Sequence, residues 1–120
     1  MVFDHFETNL KKENDYPKLV RDKIPEIIEN NENKKVKTRI LEDDREYLDF
    51  LFKKIEEEAN ELANTKNEKH LMEELSDVME IIDEILKVSK LDLEKIREVQ
   101  RVKNLERGGF KKRILMLEKI

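Results

Sequence analysis

Between residues 57 and 77 the sequence places two carboxylate pairs at one repeated spacing. Glu58 and Glu61 stand three residues apart, and after twelve intervening residues Glu74 and Asp77 stand three apart again. On a helix, residues three apart project from neighbouring points on one side. Two helices folded back on each other would bring the pairs face to face near the connecting turn. Four carboxylates so close repel one another and resist losing their water. A bound divalent cation resolves that conflict. A ligand set of oxygens alone suits Mg²⁺, or Mn²⁺ as a substitute, rather than Zn²⁺. Such ions bridge phosphate oxygens, neutralise charge that develops in phosphoryl transfer and activate water. That chemistry needs no Ser, Cys or His nucleophile.

Spacing alone does not decide the matter. With 29 acidic residues among 120, chance supplies roughly seven acidic pairs at this separation, and most such pairs are ordinary solvated helix surface. What sets these two apart is their position against the apolar stripes. At ~100° per residue, Glu58 falls at the edge of the Ile55/Leu62 stripe, with Glu61 just outside it. Glu74 falls between Val78 and Ile81, with Asp77 just beyond. Glu57 and Glu73 point away from this flank and are expected at the surface. Glu80 and Asp83 extend the acidic row and could assist a second metal. His5 and His70 are isolated and read as surface residues. Tyr47 and Phe110 could stack on a base, although core or interface packing is the simpler use of both.

Two basic groups complete the set of candidates. Lys18, Arg21 and Lys23 cluster beside an Ile-Pro turn, where they could hold phosphates or pair with the acidic helices. Lys103 and Arg107 approach the end of a later helix, a position that the helix dipole favours for cations in any case. They could serve a phosphate or an interface.

The elements that must position these residues are helical. Asp43 and Glu46 have capping-box spacing, and Leu48, Leu51, Phe52, Ile55, Ala59 and Leu62 then recur at helical steps. Asn64 to Asn67 breaks the pattern. Thr65 with Glu68 has the same capping spacing and should open the next helix, lined by Leu71, Leu75, Val78, Ile82, Ile85 and Leu86. A few polar residues between two long helices imply an antiparallel pair. Asp92 is the expected cap of a further helix carrying Leu93, Ile96, Val99 and Val102, which Gly108-Gly109 ends. Upstream, Asp22 can cap a short helix that accommodates Pro25 in its first turn. Val36, Thr38 and Ile40 alternate with charges and suggest a short extended segment over 35–41, and the apolar tail near 113–117 suggests another. The fold class is therefore all-α, an antiparallel bundle of about four helices. Residues 1–17 form a polar arm, and residues 18–120 a single domain.

Composition agrees with this and excludes several functions. Two Gly and two Pro in 120 residues favour long helices over a turn-rich β fold. The absence of Cys removes disulfides, thiolate metal sites and a Cys nucleophile. A net charge of −4 argues against nucleic acid as a partner. No apolar run approaches the roughly 20 residues of a membrane span, and the opening residues do not resemble a signal peptide. A cytoplasmic protein is expected. No Asp-rich twelve-residue loop with a central Gly is present, which excludes a calcium sensor of the helix–loop–helix type. Charged residues make up 45% of the chain and hydrophobic ones 38%. So little apolar surface implies that more is buried by self-association.

The run Glu57-Glu58-Ala59-Asn60-Glu61, followed by Glu74-Leu75-Ser76-Asp77, resembles the metal-binding signature of the all-α nucleotide pyrophosphohydrolases. That superfamily includes MazG-type enzymes, dimeric dUTPases and the phosphoribosyl-ATP pyrophosphohydrolases of histidine biosynthesis. Leu19-Val20-Arg21-Asp22-Lys23-Ile24-Pro25-Glu26-Ile27-Ile28 and Arg107-Gly108-Gly109-Phe110 look like its small stand-alone branch. The resemblance spans roughly residues 17–115 and implies hydrolysis of the α–β phosphoanhydride of a nucleoside triphosphate to the monophosphate and pyrophosphate. It further implies that Glu58, Glu61, Glu74 and Asp77 coordinate Mg²⁺, in a homodimer or homotetramer. The broad expectation is clearance of non-standard or excess nucleotides. The N-terminal arm departs from the best-known members, and no segment is assignable to phosphoribosyl-ATP, which stands as the alternative substrate. The alternative of another class is a non-catalytic helical oligomerisation module, whose carboxylates only solvate the bundle.

Overall fold

A computed structural model describes residues 16–120. The arm expected over 1–17 lies, through residue 15, outside the described residues, as does His5. The remainder is all-α. In chain order the helices are α1 (Ile24–Glu32), α2 (Asp44–Ala63), α3 (Glu68–Val88) and α4 (Leu93–Arg107). Among the described residues there is no strand, and neither 35–41 nor 113–117 pairs with a neighbour. The Val36/Thr38/Ile40 alternation has no sheet to join, and Ile40 stays exposed. Alternation marks a strand only where a partner strand supplies the hydrogen bonds.

Each helix begins where a side chain can satisfy its free N–H groups, with one exception. Asp43 accepts from the Glu46 N–H at 3.1 Å and starts α2. Asp92 accepts from the Glu94 N–H at 2.9 Å and starts α4. α3 is capped by Asn67, whose Oδ1 accepts from the His70 N–H at 2.8 Å, not by Thr65. The Thr65 hydroxyl is buried and donates to the Leu62 carbonyl at 3.1 Å, so it closes α2 instead. α1 is the exception. Its cap position is Lys23, one residue past Asp22, with no side-chain cap, and Pro25 occupies its first turn. There the missing proline N–H costs nothing. α4 ends at Gly108, whose φ of 81° is open to glycine at little cost.

α2 and α3 form the packed unit. Tyr47 meets Glu84, Glu58 meets Glu74, and Glu61 lies beside His70. Position numbers rise along α2 as they fall along α3, so the pair is antiparallel. Its interior is thin. Among the described residues Leu51, 2% exposed, and Ile81 are the buried apolar side chains, and Glu57, Glu58, Thr65 and Glu74 are buried with them. A fully buried aliphatic side chain contributes about 2 kcal/mol, so two of them leave this hairpin weakly held by apolar contact alone.

α4 buries no residue, and every residue from 91 to 120 is exposed. The chain is correspondingly extended. Its Cα radius of gyration is 17.9 Å, against roughly 14 Å for a compact domain of this length.

Candidate metal centre

The acidic pairs meet at the turn end of the hairpin. Oxygens of Glu58, Glu74 and Asp77 all lie within 4.8 Å of one another. Ligand atoms of Glu61, His70 and Glu74 form a second group within the same limit. Glu74 belongs to both. The four-residue break between α2 and α3 makes this possible. It reverses the chain within a single turn's length, and the three-residue spacing then aims each pair across the gap.

Burial gives the cluster its electrostatic character. Glu58 and Glu74 are 8% and 9% exposed. The Glu58 carboxyl is pushed up to about 8 from an ordinary value of 4.5. Burial is the main cause. A hydrogen bond with Glu74 adds to it, Lys54 opposes it, and the charges of Glu74 and Asp77 raise it further. That hydrogen bond requires a proton on one of the two carboxyls. Without a metal, a proton thus holds together what a cation could hold instead.

Basic side chains lean on the cluster from one flank. Arg21 donates from a guanidinium nitrogen to Asp77 Oδ1 at 2.6 Å. Lys54 Nζ lies 3.2 Å from Glu57 Oε1 and 3.7 Å from Glu58 Oε1. Lys18 Nζ is 4.0 Å from the same Glu57 oxygen. Of the Lys18, Arg21 and Lys23 cluster, two members therefore pair with the acidic helices, while Lys23 is exposed. Lys103 and Arg107 stand exposed on α4.

Two expectations are corrected. Glu57 is not a surface residue: it is 4% exposed, because Lys54 and Lys18 compensate its charge from α2 and from the segment before α1. His70 is not isolated: its Nε2 lies 3.4 Å from Glu74 Oε1. Both partnerships had a signal in the sequence. Lys54 precedes Glu57 and Glu58 by three and four residues, and His70 precedes Glu74 by four, the separations at which helix side chains meet. Glu73, Glu80 and Asp83 are exposed, and neither Glu80 nor Asp83 joins either ligand group among the described residues. Tyr47 is half-buried and donates to Glu84 Oε2 at 2.9 Å. Its hydroxyl is pushed up to about 12, first by burial and then by that carboxylate. Phe110 is 96% exposed.

The donor set fits a hard divalent ion. Carboxylate oxygens from two rigid helices converge, and Glu58, raised mainly by burial, is a carboxyl whose ionised form a cation would favour. No family model matches the chain, and no curated protein or solved structure matches it. No helix among the described residues is long and apolar enough to cross a membrane.

Proposed function

We propose that this chain is a nucleotide pyrophosphohydrolase dependent on Mg²⁺ or Mn²⁺, of the all-α superfamily whose acidic signature it resembles. The reaction is hydrolysis of the α–β phosphoanhydride of a nucleoside triphosphate or related nucleotide. Water adds across the bridging P–O bond, which breaks to leave a nucleoside monophosphate and pyrophosphate. The observation that carries this reading is the convergence of Glu58, Glu74 and Asp77 oxygens within 4.8 Å across the α2–α3 hairpin.

The cation, held by Glu58, Glu74 and Asp77 with Glu61 beside them, would supply charge neutralisation for the phosphates and acidify the attacking water. The chain's own residues do the rest. The two helices fix the carboxylates before substrate arrives, so little reorganisation is needed. A carboxylate left ionised at the rim can take the proton from water. Arg21, beside Asp77, offers a planar fork suited to a phosphate oxygen pair. Lys18 and Lys23 lie within a few residues of it and add positive charge. Lys103 and Arg107, exposed on α4, are suited to phosphate or to a second subunit. A homodimer or homotetramer is the proposed assembly, and the cytoplasm the proposed location. Clearance of non-standard or excess nucleotides is the role that fits.

The test is metal-dependent release of pyrophosphate from a panel of NTPs, dNTPs and phosphoribosyl-ATP. Pyrophosphate rather than orthophosphate should appear first. Glu61→Gln and Asp77→Asn should each remove turnover while far-UV circular dichroism stays helical. Undiminished turnover in both variants would sink the site. A second reading, a helical oligomerisation module without catalysis, is favoured by the uncovered apolar residues of α4 and the tail. It gains the field if no substrate in the panel yields pyrophosphate with any divalent ion.

A further inference from the structure

The sequence set out an all-oxygen ligand shell; the folded chain adds a nitrogen to it. We propose that the carboxylate cluster has a second cation position ligated by His70 together with Glu61 and Glu74, one that takes a borderline ion of the Mn²⁺–Co²⁺–Zn²⁺ kind and discriminates against Mg²⁺. This rests on the reading of Glu58, Glu74 and Asp77 as the first cation position and extends it to the neighbouring group.

Three observations carry it. First, the ligand atoms of Glu61, His70 and Glu74 lie within 4.8 Å of one another, with the imidazole Nε2 3.4 Å from Glu74 Oε1. Second, the group is built from both helices. Asn67 Oδ1 holds the His70 backbone N–H at 2.8 Å in the first turn of α3, and Glu61 reaches in from the last turn of α2. Third, a plain ion pair is a poor reason for a histidine at that place. A cation in the first turn of a helix opposes the helix dipole, whereas a neutral imidazole offers a lone pair without charge. Glu74 belongs to both ligand groups, as a carboxylate shared by two adjacent ions would. Imidazole nitrogen suits the later first-row divalent ions, while Mg²⁺ keeps to oxygen and to its own waters. One nitrogen and two carboxylates therefore bias this position away from Mg²⁺.

The test reads the ligand directly. The chain has two histidines, so His5→Gln leaves a single imidazole to follow by ¹⁵N NMR. Zn²⁺ added to the full chain should move the His70 Nε2 resonance strongly, and Mg²⁺ should not. Calorimetry with Mn²⁺, which suits both positions, should count two ions per chain. His70→Gln, checked as folded by circular dichroism, should weaken one of them more than about tenfold, since even changes outside the ligand shell commonly cost that much. If Zn²⁺ binds but the imidazole does not move and His70→Gln leaves the titration unchanged, the nitrogen position is refuted while the carboxylate site stands. If neither Zn²⁺ nor Mn²⁺ binds at all, the first cation position fails and this one fails with it.

Discussion

Glu58 is the side chain on which the two states of the site turn. Its carboxyl holds a proton up to about pH 8 when folded and releases it near 4.5 when unfolded. The stability which that proton contributes is complete below about pH 4.5 and is lost as pH rises toward 8. Glutamine mimics the protonated group at every pH. In metal-free protein, Glu58→Gln should therefore melt close to wild type at pH 4.5 and progressively above it from there to pH 8. The gap should exceed the roughly 4 °C that 1 kcal/mol is worth in a domain near this size. Equal melting temperatures at pH 8 would show that Glu58 is not crowded. Arg21 is the other side chain in the balance. It holds an oxygen of Asp77 that a cation would need, so cation uptake would displace it. The pair is half-exposed and worth at most about 1 kcal/mol. Arg21→Ala should tighten Mn²⁺ binding up to about fivefold by calorimetry while raising KM for nucleotide. Weaker Mn²⁺ binding in the variant would contradict the competition.

The helices show what a sequence states openly and what it conceals. Asp43 and Asp92 were legible as caps because a short acid directly before a periodic apolar stretch has one economical use. The α2–α3 hairpin was legible from two stripes and a polar break. The convergence of Glu58, Glu74 and Asp77 was legible from spacing against those stripes, whereas Glu61 falls in the neighbouring group with His70. Thr65 misled because the cap pattern is local, whereas its burial against the end of α2 depends on the hairpin closing. Glu57 was placed on the wrong side because a stripe reports where one helix's apolar face lies. It does not report that Lys18, from outside the hairpin, reaches the same carboxylate. The segment 35–41 carried the alternation of a strand with no second strand among the described residues to pair with. Asn67 is the element-level test. Asn67→Ala removes the α3 cap and should cost about 1 kcal/mol by denaturant unfolding. It should also loosen His70, so Zn²⁺ binding should weaken while Mg²⁺ binding holds. An unchanged unfolding midpoint would contradict the cap assignment.

As a whole, the molecule exposes 11216 Å², against about 6,900 Å² for a compact monomer of its 14.5 kDa mass. Among the described residues the uncovered apolar side chains concentrate on α4 and the tail, where Leu93, Ile96, Val99, Val102 and Leu105 are followed by Phe110, Ile114, Leu115, Met116 and Leu117. That segment also carries an excess of Lys and Arg, while α2 and α3 carry an excess of Asp and Glu. The two surfaces attract and could cover each other between copies. Sedimentation equilibrium should give an assembly of at least two chains, and Val99→Glu with Val102→Glu should reduce it to monomer. A wild-type monomer at micromolar concentration would overturn the self-association. The uncovered last helix also has a consequence for abundance. An interior that holds, among the described residues, two buried aliphatic groups is weakly held by one copy alone. If copies cover one another as proposed, the protein's melting point would depend on dose, set by mass action, and dilution alone would loosen the fold.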